Sequence, residues 1–460
     1  MNSTNSTPPS RLILIITTLA SFMTAFMGSS INIALPIIGV EFNASAVLLS
    51  WLSTSYLVST AALLLPVGKL TDIFGRTKFL KWGIILFTLG SLLSGLAFNS
   101  TSLLIYRVLQ GIGSSFIFSS STALLVSVFP QSQRGRVLGI NTAAIYTGLS
   151  SGPFLGGIIT HYFNWRGIFF INVLVGLILI ISSIIYLKHE WQEIDKHDYD
   201  YPGAFIYIFS ILVLMISISL FPKPAGFILL FVSVASLIFL YFIEIKKEDP
   251  ILNIKLFLSN RTFTFSNLAA LINYSATFAI SFLMSFYLQS IKLLTPEEAG
   301  IVLITQPLLQ AVFSPMAGKF SDKTEPQIVA SAGMVLLTIG LVVFCFLNKE
   351  TSIVLIIINL ALMGLGFALF SSPNVNAIMS SVKQKQYGIA SATLASMRMI
   401  GQMLSMGIVI IIFSLFIGSA EISSANQDAF LNSSRTAFIL FSILCVIGTF
   451  ASFSRGKIHT

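Results

Sequence analysis

Charge is what this sequence has least of. Only 9% of its 460 residues are Asp, Glu, Lys or Arg, against 55% hydrophobic, and the mean hydropathy is +0.90. A soluble domain carries about 25% charged residues, so this composition excludes an ordinary water-soluble fold and fits a polytopic membrane protein. Cysteine is nearly absent: Cys345 and Cys445 both sit inside apolar runs, which leaves no disulfide framework and no zinc-ligand spacing. Acids are scarce where they would matter most. No Asp, Glu or His lies deep inside an apolar run; Glu41, Glu297 and Glu298 fall in loops or at helix ends, and Glu244 closes its run. There is no phosphate-binding G-x-x-x-x-G-K-[ST], no H-E-x-x-H, no nucleophile elbow and no stretch long enough for a soluble catalytic domain. An enzyme, a receptor with a soluble domain and a transporter driven directly by ATP are therefore disfavoured, and no cofactor or metal is called for. The formal charge of +9 is spread over short loops rather than clustered, which argues against a nucleic-acid partner.

What is present is a succession of apolar runs, at 12–36, 46–67, 79–98, 102–128, 137–160, 167–187, 203–221, 226–244, 263–288, 298–317, 328–347, 352–374, 387–417 and 436–454. At about 20 residues per span these predict fourteen membrane helices, because lone strands cannot satisfy their backbone polar groups in lipid. An even count places both termini on one side. Most of the 26 Lys and Arg residues fall in loops on that side, among them Lys69, Arg76, Lys78, Arg134, Arg136, Lys246 and Lys247, which predicts cytoplasmic termini. The expected organisation is a polar tail (1–11), a six-helix bundle (12–187), an acidic connector (188–202), a two-helix insert (203–244), a second connector (245–262), another six-helix bundle (263–454) and a short tail (455–460). The first apolar run is too long for a signal-peptide core and is read as a retained helix. His189 and His197 alternate with carboxylates in the acidic connector, a spacing that suits a metal but more simply a solvated loop.

Three stretches carry chemistry. Gly68-Lys-Leu-Thr-Asp72-Ile-Phe-Gly75-Arg76-Thr-Lys78 packs four charges into a tight turn between two apolar runs. Its glycines allow positive φ, and Asp72 and Arg76 can reach helix ends and each other. An echo, Gly318-Lys-Phe-Ser-Asp322-Lys323, follows another apolar run. In the fourth run, Arg107-Val-Leu-Gln110-Gly111-Ile-Gly113 places a guanidinium in an apolar helix, where it either snorkels to the interface or faces a cavity or partner. In the fifth, Gly148, Gly152 and Gly156 recur every four residues, with Pro153 and Gly157 beside them. That stripe lets a neighbouring backbone come close, and the proline can kink the helix.

The first stretch resembles the signature loop after the second helix of major facilitator superfamily transporters, and Arg107 with Gln110 resembles a second signature. The string G-x-x-x-G-P-x-x-G-G is similar to the motif that marks exporters of that superfamily. With Asn32-Ile-Ala-Leu-Pro36, Trp51-Leu-Ser-Thr-Ser-Tyr56, Trp165-Arg166-Gly-Ile-Phe-Phe-Ile-Asn172, Asp249-Pro250 and Arg398-Met-Ile-Gly401-Gln402, the chain looks like the fourteen-helix drug:proton antiporter family. The resemblance implies a major facilitator fold of two six-helix bundles around a cavity that opens alternately to either side. It further implies a multi-pass protein of the cell membrane that exports amphiphilic drugs in exchange for protons. Asp72, Arg76 and Asp322 would gate the cytoplasmic side, Arg107 would serve coupling, and the glycine stripe would form the sliding interface. Where many members carry an Asp in the first helix, this chain has Met27. A cavity without carboxylates disfavours a dication, so the expected cargo is neutral, zwitterionic or anionic. Tyr56, Asn141, Tyr146, Asn273, Tyr274, Gln306, Gln310, Asn374 and Arg398 are candidates for the cavity wall. An uptake symporter on the same fold is the alternative, which the Gly-Pro string disfavours.

Overall fold

The computed structural model describes residues 10–191, 199–247, 250–321, 323–418, 420 and 426–456, with the backbone alone at 385. All regular structure among the described residues is helical. The chain begins with α1 (Ser10–Phe42), α2 (Ala46–Phe74), α3 (Arg76–Gly95), α4 (Ser100–Val128), α5 (Gln131–Phe163) and α6 (Arg166–Tyr186). Next come α7 (Tyr201–Leu220), α8 (Pro224–Glu244) and the short α9 (Ile254–Ser259). In the second half, α10 (Arg261–Thr277), α11 (Ala279–Phe286) and a π-helical turn make one rod, Arg261–Ile291. Likewise α12 (Pro296–Leu303) and α13 (Thr305–Ser321) form the rod Pro296–Ser321, before α14 (Pro326–Phe344), α15 (Ile353–Ser380), α16 (Tyr387–Phe416) and α17 (Gln427–Phe453).

Twelve of these rods are long and apolar enough to cross a membrane. α3 and α5, which the hydrophobic pattern also marks as spans, are not among the twelve. Both start with basic residues (Arg76, Lys78 and Lys81; Arg134 and Arg136) and carry small residues along their length. Side-chain caps fix several helix starts. Asn99 accepts from Ser102 N at 2.8 Å, Asn260 from Phe263 N at 2.9 Å, and Thr295 exchanges hydrogen bonds with Glu298. Each such cap is worth about 1 kcal/mol.

The rods sort into two clusters. In the first half α1 packs along α5, α2 along α4, and α3 between α4 and α6. In the second, α10 lies against α16 and α17, and α15 lies between α13 and α14. The clusters meet where α2 runs along α16, α5 crosses α12 and α1 touches α11. α7 packs on both α2 and α16 and so straddles the seam. α8 packs chiefly on α7 and leaves Phe227, Phe231, Phe239 and Phe242 exposed. The acidic connector's residues 192–198, the second connector's 248–249 and the ends of both tails lie outside the described residues, as does Asp322.

Candidate functional site

Two neighbouring cavities, which share Tyr146, Ser150, Pro307 and Gln310 in their walls, lie between the halves. The inner one, about 110 Å³, is lined by Asn32, Tyr146, Tyr274, Gln306 and Gln402 among others. The outer one, about 540 Å³, lies between α5, α13 and α15 and runs from Tyr146 to Gly139, Ser314 and Asn376. Those last residues sit near the ends of α5, α13 and α15 that share a face with Ser10, so the cavity leads toward the terminus-bearing side. Its size falls in the range of small-molecule pockets, about 300–1,000 Å³. Among the described residues, no carboxylate lines either cavity.

Both interrupted rods break at the inner cavity. Pro307 has no N–H and its ring crowds the carbonyl four residues back, which separates α12 from α13 at Leu303–Thr305. In the other rod, Ala279 N donates to Ser405 Oγ of α16 at 3.1 Å instead of continuing the helical ladder, and α10 ends at Thr277. Thr277, Phe278, Leu303 and Gln306 are lining residues. Broken helices at membrane depth occur where the backbone faces protein or a cavity rather than lipid.

Across the cavity Tyr146 Oη and Tyr274 Oη approach to 2.8 Å, a hydrogen bond between the halves. Arg398, 3% exposed, stands 5.9 Å from the Tyr146 ring and 5.8 Å from that of Phe118. Its Nε and Nη2 have no hydrogen-bond partner. The wall thus offers aromatic faces, amides and hydroxyls, with a cationic group close behind.

On the side away from the termini the halves are shut by backbone contact. A Cβ at Gly157 of α5 would run into Pro296 O and lie 3.3 Å from Gly300 Cα of α12. One at Gly300 would sit 2.8 Å from Pro153 O. The rest of the stripe faces α1: a Cβ at Gly148 would meet Phe22 O at 2.5 Å, and one at Gly152 or Gly156 would press on Ser29 or Ser30. Gln289 Nε2 donates to Ile33 O at 2.9 Å on the same side of the seam.

Arg107 does not snorkel; it is 0% exposed. Its Nε donates to Leu52 O at 3.2 Å, Nη1 to Gln110 Oε1 at 2.5 Å, and the guanidinium stacks 4.5 Å from the Tyr56 ring. Gln110 passes the contact on to Ser91 Oγ at 2.7 Å. Tyr56 Oη is held by Thr24 O and Ser114 Oγ, each at 2.8 Å.

The charged turn at 68–78 joins three helices. Gly75 ends α2 at φ +113°, a left-handed conformation that favours glycine. Arg76 Nη2 pairs with Asp72 at 2.6 Å and Nη1 reaches Ser127 at the end of α4. The start of α3 is capped from the connector: Thr77 N and Lys78 N donate to Glu190 at 2.8 and 3.1 Å, and Arg76 N to Trp191 O at 2.9 Å. Gly68 has open space where a Cβ would be.

Of the residues expected in the cavity wall, Tyr146, Tyr274, Gln306 and Gln310 are there. Tyr56, Asn141, Asn273, Asn374 and Arg398 line neither cavity. Tyr56 is consumed by its contacts with Thr24, Ser114 and Arg107, while Asn374 Nδ2 donates to Ser266 O at 3.2 Å. Asn141 and Asn273 are 3% and 0% exposed. Met27 is fully buried with Asn172 Nδ2 3.4 Å from its sulfur and takes no part in the lining. Gln402 and the broken backbone at Thr277 and Leu303 were not anticipated in the wall. The only local signals were the glutamine after Gly401 and the Gln-Pro pair at 306–307.

A family model described as Major Facilitator Superfamily matches residues 17–264 and 266–457. The riboflavin transporter RibZ of Clostridioides difficile (strain 630) is 29% identical over 440 residues, 95% of either chain. The multidrug transporter protein MdtP of Bacillus subtilis (strain 168) is 30% identical over 407 residues, 85% of this chain and 73% of the relative. Among solved structures, a bacterial homologue of the human lysosomal transporter Spinster superposes with a TM-score of 0.69 over 98% of both chains at 15% identity, a likeness of fold.

Proposed function

The chain belongs to the Major Facilitator Superfamily, and from that premise we propose that it exports amphiphilic organic compounds from the cell by proton antiport. The carrying observation is a cavity walled by Tyr146, Tyr274, Gln306 and Gln402 with no carboxylate among the described residues, shut on one side by the backbone contact of Gly157 with Pro296. Fourteen spans belong to this reading, since α3 and α5 lie lengthwise among apolar rods and an even number keeps Ser10 and Phe453 on one face. The membrane is the cell membrane, and the terminus-bearing face is cytoplasmic because the basic loops collect there. The cavity then opens inward.

Cargo of this site is neutral, zwitterionic or anionic and carries an aromatic surface. The test is flux into everted vesicles or proteoliposomes, with and without a pH gradient, across a panel that includes bivalent cationic dyes. Gradient-dependent accumulation of neutral or anionic aromatics supports the reading; preference for the dications overturns it. Uptake of a planar nutrient is the second reading, favoured by the full-length match to a riboflavin transporter. The direction of flux separates the two.

In this scheme Asp72 and Arg76 tie α2 to α3 and α4 on the cytoplasmic side, and with Asp322 they gate that side. Asp72→Asn keeps the size of the side chain and removes the charge. Expected is loss of transport with normal membrane insertion; transport at the original rate would remove the gating role.

A further inference from the structure

The insert holds two buried carboxyl groups at its terminus-side end. Asp200 begins α7 and Glu244 ends α8; the Asp200 side chain is 5% exposed and Glu244 1%. Two of their four oxygens have evident work. Asp200 Oδ1 accepts from Gly203 N at 2.8 Å and pairs with Lys247 Nζ, and Glu244 Oε2 accepts from Leu252 N at 3.0 Å. The work of the remaining two is different. Asp200 Oδ2 and Glu244 Oε1 are buried and accept no hydrogen bond. Both crowd the same point, where a Cβ on Gly203 would be. Two carboxylate oxygens brought this close and left without donors repel each other unless a hydrogen lies between them.

We propose that Asp200 and Glu244 form a proton-binding site, with one proton held between Asp200 Oδ2 and Glu244 Oε1. Charge supports this count: one carboxylate, one carboxylic acid and the Lys247 ammonium sum to zero, whereas two carboxylates would leave a buried excess of negative charge. Burial disfavours the Asp200 charge, but hydrogen bonds from Glu244, Lys247 and Gly203 N–H outweigh it and hold Asp200 below the usual carboxylate range. The proton therefore resides on Glu244. Among the described residues the other charged or titratable groups facing the pair are Tyr199 and Tyr201, either side of Asp200. Tyr199 is pushed up to about 12 by burial and by its neighbours Asp200 and Tyr201, so it stays neutral. α2 brings only main-chain carbonyls, Pro66 O to Tyr199 at 3.2 Å and Ala61 O to Tyr207 at 3.1 Å.

The site's position gives the proton something to control. α7 reaches both halves: Trp51 Nε1 of α2 donates to Ser219 Oγ at 3.1 Å, and Ser414 Oγ of α16 to Phe221 O at 3.3 Å. Loss of the proton sets two like charges against each other at the hairpin's end and loosens it from the 250–253 segment. This inference is independent of cargo and direction of flux.

Infrared spectroscopy of the purified full-length protein tests it. A protonated-carboxyl stretch is expected at neutral pH, lost in Glu244→Gln and in Asp200→Asn and kept in Glu297→Gln. Stability gives a second reading. The folded protein retains a proton that a free carboxyl, with pKa about 4, has lost, so the unfolded state binds fewer protons and stability falls as pH rises. In Glu244→Gln an amide N–H replaces the proton permanently. Relative to that variant, the wild-type folding equilibrium should decline about tenfold per pH unit above pH 5 until the proton leaves. Parallel pH profiles, or a carboxyl band untouched by both substitutions, would overturn the site. So would loss of the band on adding sodium at fixed pH, which would make it a metal-cation site instead. Should Glu244→Gln not fold, Asp200→Asn supplies an amide donor from the other side and carries both measurements.

Discussion

Replacing Gly157 by valine is expected to cut transport about 100-fold while the protein still folds and inserts. Gly157 touches α12 through backbone alone: Pro296 O occupies the place of a Cβ, and Gly300 Cα lies 3.3 Å from it. A flexible side chain could rotate out of the way, but a carbonyl held in a helix cannot. Overpacking ordinarily costs about 1–3 kcal/mol. Placed at the contact that shuts the two halves, that penalty falls on the closed state and spares the fold of each half. A 3 kcal/mol bias is roughly 150-fold in a two-state population. The measurement is transport by the variant beside labelling of a cysteine placed at Ser281, which lines the inner cavity. Labelling from the side away from the termini should rise as transport falls. Gly135→Ala is the control on the same helix, because it lines neither cavity and its Cβ position comes no closer than 4.0 Å to another side chain. Undiminished transport by Gly157→Val would mean that the α5–α12 contact is not part of the cycle.

The sequence announces a close helix neighbour for α5 but not the Gly157 contact with α12, and the reason is periodicity. Glycines every four residues must share one helix face, so the stripe announces a close neighbour, and α1 is that neighbour. Asp72 and Arg76 are likewise separated by one helical turn's reach, and they pair. What spacing does not carry is the register between helices far apart in sequence. Tyr146 and Tyr274 meet across 128 positions, and Glu190 caps a helix begun more than 100 residues earlier. Tyr56, Asn141, Asn273 and Asn374 looked like wall residues because polar groups in apolar runs need partners; they find them, or are buried, away from the cavity. Glu244 closes its apolar run and ends α8, as the pattern expects. What the pattern does not carry is its burial, with Leu252 N folded onto one of its oxygens.

Arg107→Met is expected to leave thermal stability unchanged or raise it, and to lower pH-gradient-driven transport by roughly 100-fold, the upper end of ordinary coupling energies. Arg107 is fully buried, stacked on Tyr56, and among the described residues no carboxylate pairs with it. An uncompensated buried charge costs several kcal/mol, so methionine, unbranched and apolar, removes a burden from the fold. A residue kept at that cost should act in the cycle. Its action cannot be proton release, because guanidinium does not deprotonate in proteins. It can act as a fixed positive charge, anchored at Leu52 O and Gln110 Oε1 and stacked on Tyr56. Such a charge disfavours a second cation nearby and favours an anionic or electron-rich cargo. Arg107→Lys keeps the charge but loses the fork and the stacking, so it should fall between wild type and Arg107→Met. If Arg107→Met melts several degrees lower yet retains gradient-driven flux, the arginine is a structural pin and the coupling charge lies elsewhere.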